Sequence, residues 1–261
     1  IFPYLDARFA LIMANTLCTG VANEYKVIEN SAQTFADNIN EFSGMIGERQ
    51  VGCPLVVHRR CIEPMFSISN MISYDNRMFN KTHKKEDYLK QEQPFLIKKS
   101  GWINVEGTEN GSKDHFVKNQ AERVCQLLEN ALHIYTNLYE TDDKIFIITP
   151  FRTVAESMRK FVIGYFSVKG YDKEMLTKWT RNCVGTVHTF QGKDANEVLF
   201  VLGCSDKSVG AMNWVVKKAN ILNVACTRAK YRIAFIGNLN DWKNRRYFRE
   251  FIPKFIDTID A

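Results

Sequence analysis

Short continuous apolar runs alternate with amphipathic stretches through the second half of the chain. The runs fall at 144–149, 183–187, 197–202 and 232–236. Helical spacing fills about 154–166, 214–230 and 246–259. Continuous apolar strands between amphipathic helices predict a mostly parallel sheet with helices on both faces. The fold class expected is therefore α/β, as one doubly wound domain without internal repeats.

The first half is less regular. Leu5, Phe9, Ile12 and Met13 have helical spacing, and Ser31 suits the N-cap of a helix running to about Phe42. Residues 54–57 read as a short buried strand and 64–73 as a helix. Residues 76–100 are polar and lysine-rich, the mark of a surface excursion. Residues 102–105 read as a strand, and 107–114 carry strong turn chemistry. From about 117 to 138, apolar residues at 124, 127, 128, 131, 132 and 135 make a clear helical stripe.

Composition adds bounds. The 261 residues are 45% hydrophobic and 25% charged, ordinary globular values that leave room for a real core. A net charge of +6 mildly favours polyanions, but many solvated surfaces carry as much. The seven cysteines have no C-x-x-C spacing and mostly sit in apolar runs, which suits reduced thiols in a cytosol. The five histidines show no metal-ligand spacing, so no metal site is assigned. No apolar run approaches a bilayer span. The chain opens at Ile1 with neither Met nor a charged-then-apolar leader, and reads as a piece of something longer.

Two motifs carry the chemistry. Val184-Gly-Thr-Val-His-Thr-Phe-Gln-Gly-Lys-Asp194 places Thr186 and His188 at a strand's end, where open α/β sheets gather ligands. Gln191 and Gly192 can offer donors to phosphate, and Asp194 can accept from a ribose hydroxyl. The alternative is an ordinary loop whose Gln and Asp make turn hydrogen bonds. Leu222-Asn-Val-Ala-Cys-Thr-Arg-Ala-Lys230 puts Leu222, Ala225, Cys226 and Ala229 on one helical stripe. Arg228 falls at the stripe's edge, either reaching a cleft along its own stem or lying on the surface. No G-x-x-x-x-G-K-[ST] phosphate loop is present. The near miss Gly47-Glu-Arg-Gln-Val-Gly52 is followed by Cys53 and Pro54, so this chain by itself should not run phosphoryl transfer.

These segments resemble motifs V and VI of superfamily 1 helicases, in the branch containing the RNA-surveillance helicase and its bacterial relatives. Val57-His-Arg-Arg-Cys-Ile-Glu-Pro-Met-Phe-Ser-Ile-Ser-Asn70 is similar to the arginine-containing segment after motif III. Ile147-Ile-Thr-Pro-Phe-Arg152 is similar to motif IV. The resemblance implies the second, C-terminal RecA-like domain, of P-loop-NTPase type but without its own phosphate loop. That domain would span 46–261 with an insertion at about 76–115, after a helical lead-in over 1–45.

The resemblance further implies roles. Arg60 and Arg228 would meet the γ-phosphate of ATP·Mg²⁺ across a cleft shared with an N-terminal RecA-like domain. Gln191, Gly192 and Asp194 would line that cleft, Asp194 standing where Glu is commoner. Arg59 stands where relatives often carry a base-stacking aromatic, and a guanidinium plane can also stack. Thr149, Pro150, Phe151, Thr186 and His188 would lie toward single-stranded nucleic acid, DNA ahead of RNA, without reading sequence. The protein would be cytoplasmic, with no membrane partner. A non-catalytic nucleic-acid-binding or scaffold module, or an interaction domain with no nucleotide role, stays open beside this reading. Trp102, Trp179, Trp214 and Trp242 are expected to be core or helix-packing residues in preference to base-stacking platforms. The cations from Arg228 to Arg249 are expected to be mostly solvated surface.

Overall fold

The computed structural model describes residues 41, 43–46, 49–52, 56–82, 95–109, 114–131, 138–141 and 144–259. The chain divides into two compact units, Ile1–Val56 and Val57–Ala261. In the first, β1 (Gly44–Ile46) and β2 (Arg49–Val51) pair antiparallel, Gly44 opposite Val51. The helices expected over 1–42 lie outside the described residues, as do Pro54 and Leu55 of the expected strand.

The second unit is built on a five-stranded parallel sheet. Its strands are β5 (Gly101–Asn104), β6 (Ile145–Thr149), β7 (Val184–Thr186), β8 (Ala195–Val201) and β9 (Ala229–Gly237). The order across the sheet is β5-β9-β8-β6-β7, with every pairing parallel. All five residues of β6 are buried, as expected for a strand covered on both faces. A separate short parallel pair joins β3 (Val57–His58) to β4 (Phe79–Asn80).

Helices flank the sheet. α1 (Met65–Ser73) packs on β9 and on α6 (Asn220–Arg228). α2 (Lys118–Ala131) packs on α3 (Arg152–Ser167), which covers β6 and β7 together with α4 (Lys173–Cys183). The short α5 (Val209–Val215) and α7 (Leu239–Trp242) follow β8 and β9, and α8 (Phe248–Phe255) closes the unit. This is the α/β architecture that the strand–helix alternation predicts, and it is consistent with the RecA-like domain that the motif resemblance implies.

One end of the core is aromatic. Phe235 stacks on Trp102 with ring centres 5.8 Å apart, and Phe200, Phe248 and Phe251 pack around it. The Trp102 indole N–H donates to the Gly237 carbonyl at 2.9 Å, so its polar edge is satisfied. Trp179 and Trp242 are buried as expected.

Four local readings change. Residues 214–230 are not one helix: α5 ends at Val215, α6 starts at Asn220, and Ala229 already opens β9. Ala229 belongs to the apolar stripe only by spacing. In the fold it pairs with Ala195 of β8 and is buried there. Cys183 ends α4 instead of starting a strand. The last helix stops at Phe255, because the following chain runs beside β5: Trp102 N–H donates to Asp257 and Ile259 N–H to Trp102. Finally, β5 lies within the span read as an insertion, yet it is an edge strand of the main sheet.

Candidate functional site

The turn after β3 presents two arginines. The ring of buried His58 accepts the Cys61 N–H at its Nε2, 2.9 Å away, which folds the intervening residues outward. Arg59 and Arg60 are consequently exposed. The Ile62 N–H then donates to the Lys230 carbonyl at 3.1 Å, tying this turn to the start of β9 and the end of α6.

Arg228 ends α6 and is 5% exposed, which overturns the surface alternative for it. Its Nη1 donates to the carbonyls of Lys193 at 2.8 Å and Phe190 at 3.3 Å. Its Nε donates to Val224 O, and its Nη2 to the Thr227 hydroxyl. Burial, and then the like charge of Arg60, pull the Arg228 guanidinium below its ordinary pKa, while Asp194 offsets part of this. The charge of Arg60 thus reaches the Arg228 guanidinium. Asp194 itself lies 3.0 Å from Lys230.

The loop that seats Arg228 is anchored by Phe190, whose ring stacks on Phe146 at 4.2 Å. Gln191 and Gly192 beyond it are exposed. Gly192 takes φ +88 with nothing near its missing Cβ, so this backbone conformation asks for glycine while leaving the surface open to an incoming group. Arg60, Arg228, Lys230, Gln191, Gly192 and Asp194 therefore form one neighbourhood, joined through the carbonyls of 190 and 193.

A second site lies at the carboxyl ends of β6 and β7. Pro150, Phe151, Thr186 and His188 line a groove of about 490 Å³. Thr189 fixes the shape of the β7 end: its hydroxyl oxygen receives the Thr186 N–H at 3.2 Å. Arg159 of α3 donates twice to the Val184 carbonyl, at 2.7 and 3.0 Å, bracing the strand from the helix side. Thr149 is not in the lining. It is buried, and its hydroxyl oxygen faces the Phe151 N–H at 3.5 Å.

Trp214 was missed as a site residue. Expected as a core or helix-packing residue, it is 49% exposed and lines the same groove, its ring centre 5.8 Å from that of Phe151. The signal was local. Met212 and Val215 take the buried positions of α5, which turns Trp214 to the outer face of the helix.

A partly buried polar cluster adjoins the groove. Glu109, His115 and Cys204 bring potential metal-ligand atoms within 4.8 Å of one another, Cys204 coming from far along the chain. The Glu109 carboxylate accepts from the Ser205 N–H at 2.9 Å and the Ser208 hydroxyl at 2.8 Å. Burial first, and then Glu109, push the Cys204 thiol well above its ordinary pKa. The cluster is thus held together by its own hydrogen bonds. His115 also contacts Phe151, with ring centres 4.8 Å apart, so the cluster supports the groove wall. At Gly203 (φ +63) an added Cβ would meet the His115 carbonyl at 2.6 Å, which leaves no room for a side chain at this crossing. Among the described residues, no helix is long and apolar enough to cross a membrane.

With two sites on one parallel sheet in view, the comparison with known families decides the class. The family model AAA_12, described as an AAA domain, matches residues 42–240. The chain belongs to this family. Over 214 residues this AAA domain is 26% identical to the "Uncharacterized ATP-dependent helicase MJ0104" of Methanocaldococcus jannaschii. The alignment covers 76% of the chain but only 28% of that relative, so the AAA domain corresponds to a minor part of the archaeal protein's length.

Proposed function

We propose that this AAA domain is the C-terminal motor domain of an ATP-dependent superfamily 1 helicase, in the RNA-surveillance-like branch with bacterial-type relatives. In the intact protein an N-terminal RecA-like domain supplies the phosphate loop and the metal carboxylates. The present chain supplies Arg60 and Arg228 to the γ-phosphate, and Gln191, Gly192 and Asp194 to the cleft wall, with Arg59 beside the base. The groove of Pro150, Phe151, Thr186 and His188 carries half of the single-strand track, DNA ahead of RNA. The setting proposed is the cytoplasm.

One observation carries this reading. Arg228 is buried with its guanidinium on the carbonyls of the Phe190–Lys193 turn, and burial first, then the charge of Arg60, lowers its pKa. Bringing the charge of Arg60 onto a desolvated guanidinium, with Asp194 offsetting only part of it, is unfavourable for folding alone. It suits a site where charge develops on transferring phosphoryl oxygens, because preformed cations there need no reorganisation as the reaction proceeds.

The test uses the full-length protein. Arg60→Ala removes an exposed side chain, so the fold should be kept, while ATP turnover should fall by roughly 10³-fold or more with only a modest loss of ATP binding. Arg228→Lys keeps the charge but loses the fork of donors, and should lower turnover alongside a small loss in thermal stability. Unchanged turnover in both variants would refute the assigned roles. An intact protein that binds single strands yet hydrolyses no ATP would favour the non-catalytic module.

A further inference from the structure

Trp214 separates two depressions. On one side is the groove at the ends of β6 and β7. On the other is a larger cleft of about 960 Å³, formed by the chain around α5 and α7. Trp214 lines both, so its exposed side chain forms the ridge between them.

The walls of the larger cleft have a definite chemistry. Asn213, Asn240 and Asn244 line it; the Asn213 and Asn240 side-chain oxygens already accept from Arg245 and Lys243, which leaves their amide N–H groups and the Asn244 amide to meet nucleobase edges. Lys217 and Arg246 are exposed cations on its lining. Arg245 is turned inward: Nη1 donates to Asn213 Oδ1 at 2.6 Å and Nε to the Asp241 carbonyl at 3.1 Å, which fixes the wall. Two carboxylates, Asp206 and Asp241, also face the cleft. Burial, and then the charge of Asp206, raise the Asp241 carboxyl above its ordinary pKa.

This balance discriminates among ligands. Three cations against two carboxylates disfavour a free triphosphate, whose several negative charges would meet both aspartates. A strand segment carries one charge per nucleotide and bases rich in amino donors, and it fits the mixture of amides, carboxylates and cations. An exposed indole at the entrance adds a stacking face that every base can use.

We propose that the cleft takes the next nucleotides of the single strand held in the groove, the strand crossing Trp214 with one base stacked on the indole. The inference rests on the single-strand role of the groove. It adds a binding segment, with Lys217 and Arg246 on phosphates.

The test measures equilibrium binding of fluorescent single strands of roughly 4 to 16 nucleotides to the full-length protein across a salt series. Arg246→Glu and Lys217→Glu should spare the shortest strands, weaken the longest, and each reduce the salt slope by about one. Trp214→Ala should weaken binding by roughly 5- to 150-fold and abolish strand-induced quenching of indole fluorescence. His188→Ala, on the groove itself, should weaken every length. If His188→Ala weakens binding while the three cleft variants match the wild type at all lengths, the extension is wrong and the groove stands. If no strand binds the wild type at any length, both fall.

Discussion

Glu197 puts a carboxylate inside the main sheet, 1% exposed, and the fold answers with two backbone donors. Leu96 N–H reaches it at 2.8 Å and Ile97 N–H at 2.7 Å, while Arg232 donates to the Ile97 carbonyl and lies over the Phe95 ring. Burial still dominates and raises the carboxyl from 4.5 to about 7, against the pull of those N–H groups and Arg232. The folded state therefore binds more protons than the unfolded one between these values. The stability contribution is complete below pH 4.5 and is lost as pH rises through about 7. Glu197→Gln should flatten that dependence in urea denaturation at pH 5 and pH 8. It should also cost about 1–3 kcal/mol, since its amide donor would face another N–H. An unchanged pH slope would show that Glu197 is not the titrating group. The identity of such residues was only partly readable in advance. Arg228 stood out because it follows an apolar stripe, but its depth depended on carbonyls more than thirty residues away. Glu109 and His115 flank one local turn, but Cys204 joins them only through the fold, so local spacing does not reveal the cluster.

At the scale of elements, α4 shows what local chemistry encodes. Asp172 caps it, its carboxylate accepting the Met175 N–H at 2.7 Å, and Leu176, Trp179, Thr180 and Cys183 form the buried stripe. Both signals are present in the sequence, yet the apolar run beginning at Cys183 outweighed them. Asp172→Ala should lower stability by roughly 0.5–2 kcal/mol, read as a shift in denaturation midpoint without a change in slope. A null effect would mean that tertiary packing alone holds the helix. β6 and β8 were readable because strands covered on both faces need uninterrupted apolar residues. The boundary between α6 and β9 was not, because Ala229 satisfies the helical stripe and the sheet register equally well. The extended 256–259 segment is set by pairing with Trp102, a long-range contact with no local sign.

For the whole molecule, the aromatic assembly around Phe235 is where a deletion should cost most. Phe235→Ala removes the ring shared by Trp102, Phe200, Phe248 and Phe251, and should destabilise by about 3–5 kcal/mol in chemical denaturation. The chain by itself, lacking a phosphate loop, should release no phosphate from ATP. Measurable turnover by the isolated chain would contradict the division of labour proposed above. The parallel α/β architecture was readable from alternation and its RecA-like character from the motif resemblance, whereas the placement of two sites on one sheet needed the fold. One loop reaches both of those sites. Its first residues, Thr186 and His188, wall the groove, and its last carbonyls, at Phe190 and Lys193, hold the Arg228 guanidinium. It is a tether with almost no slack, pinned midway by the Phe190 ring. A glycine inserted after Thr189 would give up the Gln191 N–H bond to the His188 carbonyl but keep the Thr186–Thr189 contacts and the carbonyls that hold Arg228, letting the middle absorb any displacement. Such a variant should bind single strands and ATP as before but lose strand-stimulated hydrolysis; stimulation that persisted would mean the message travels by another route.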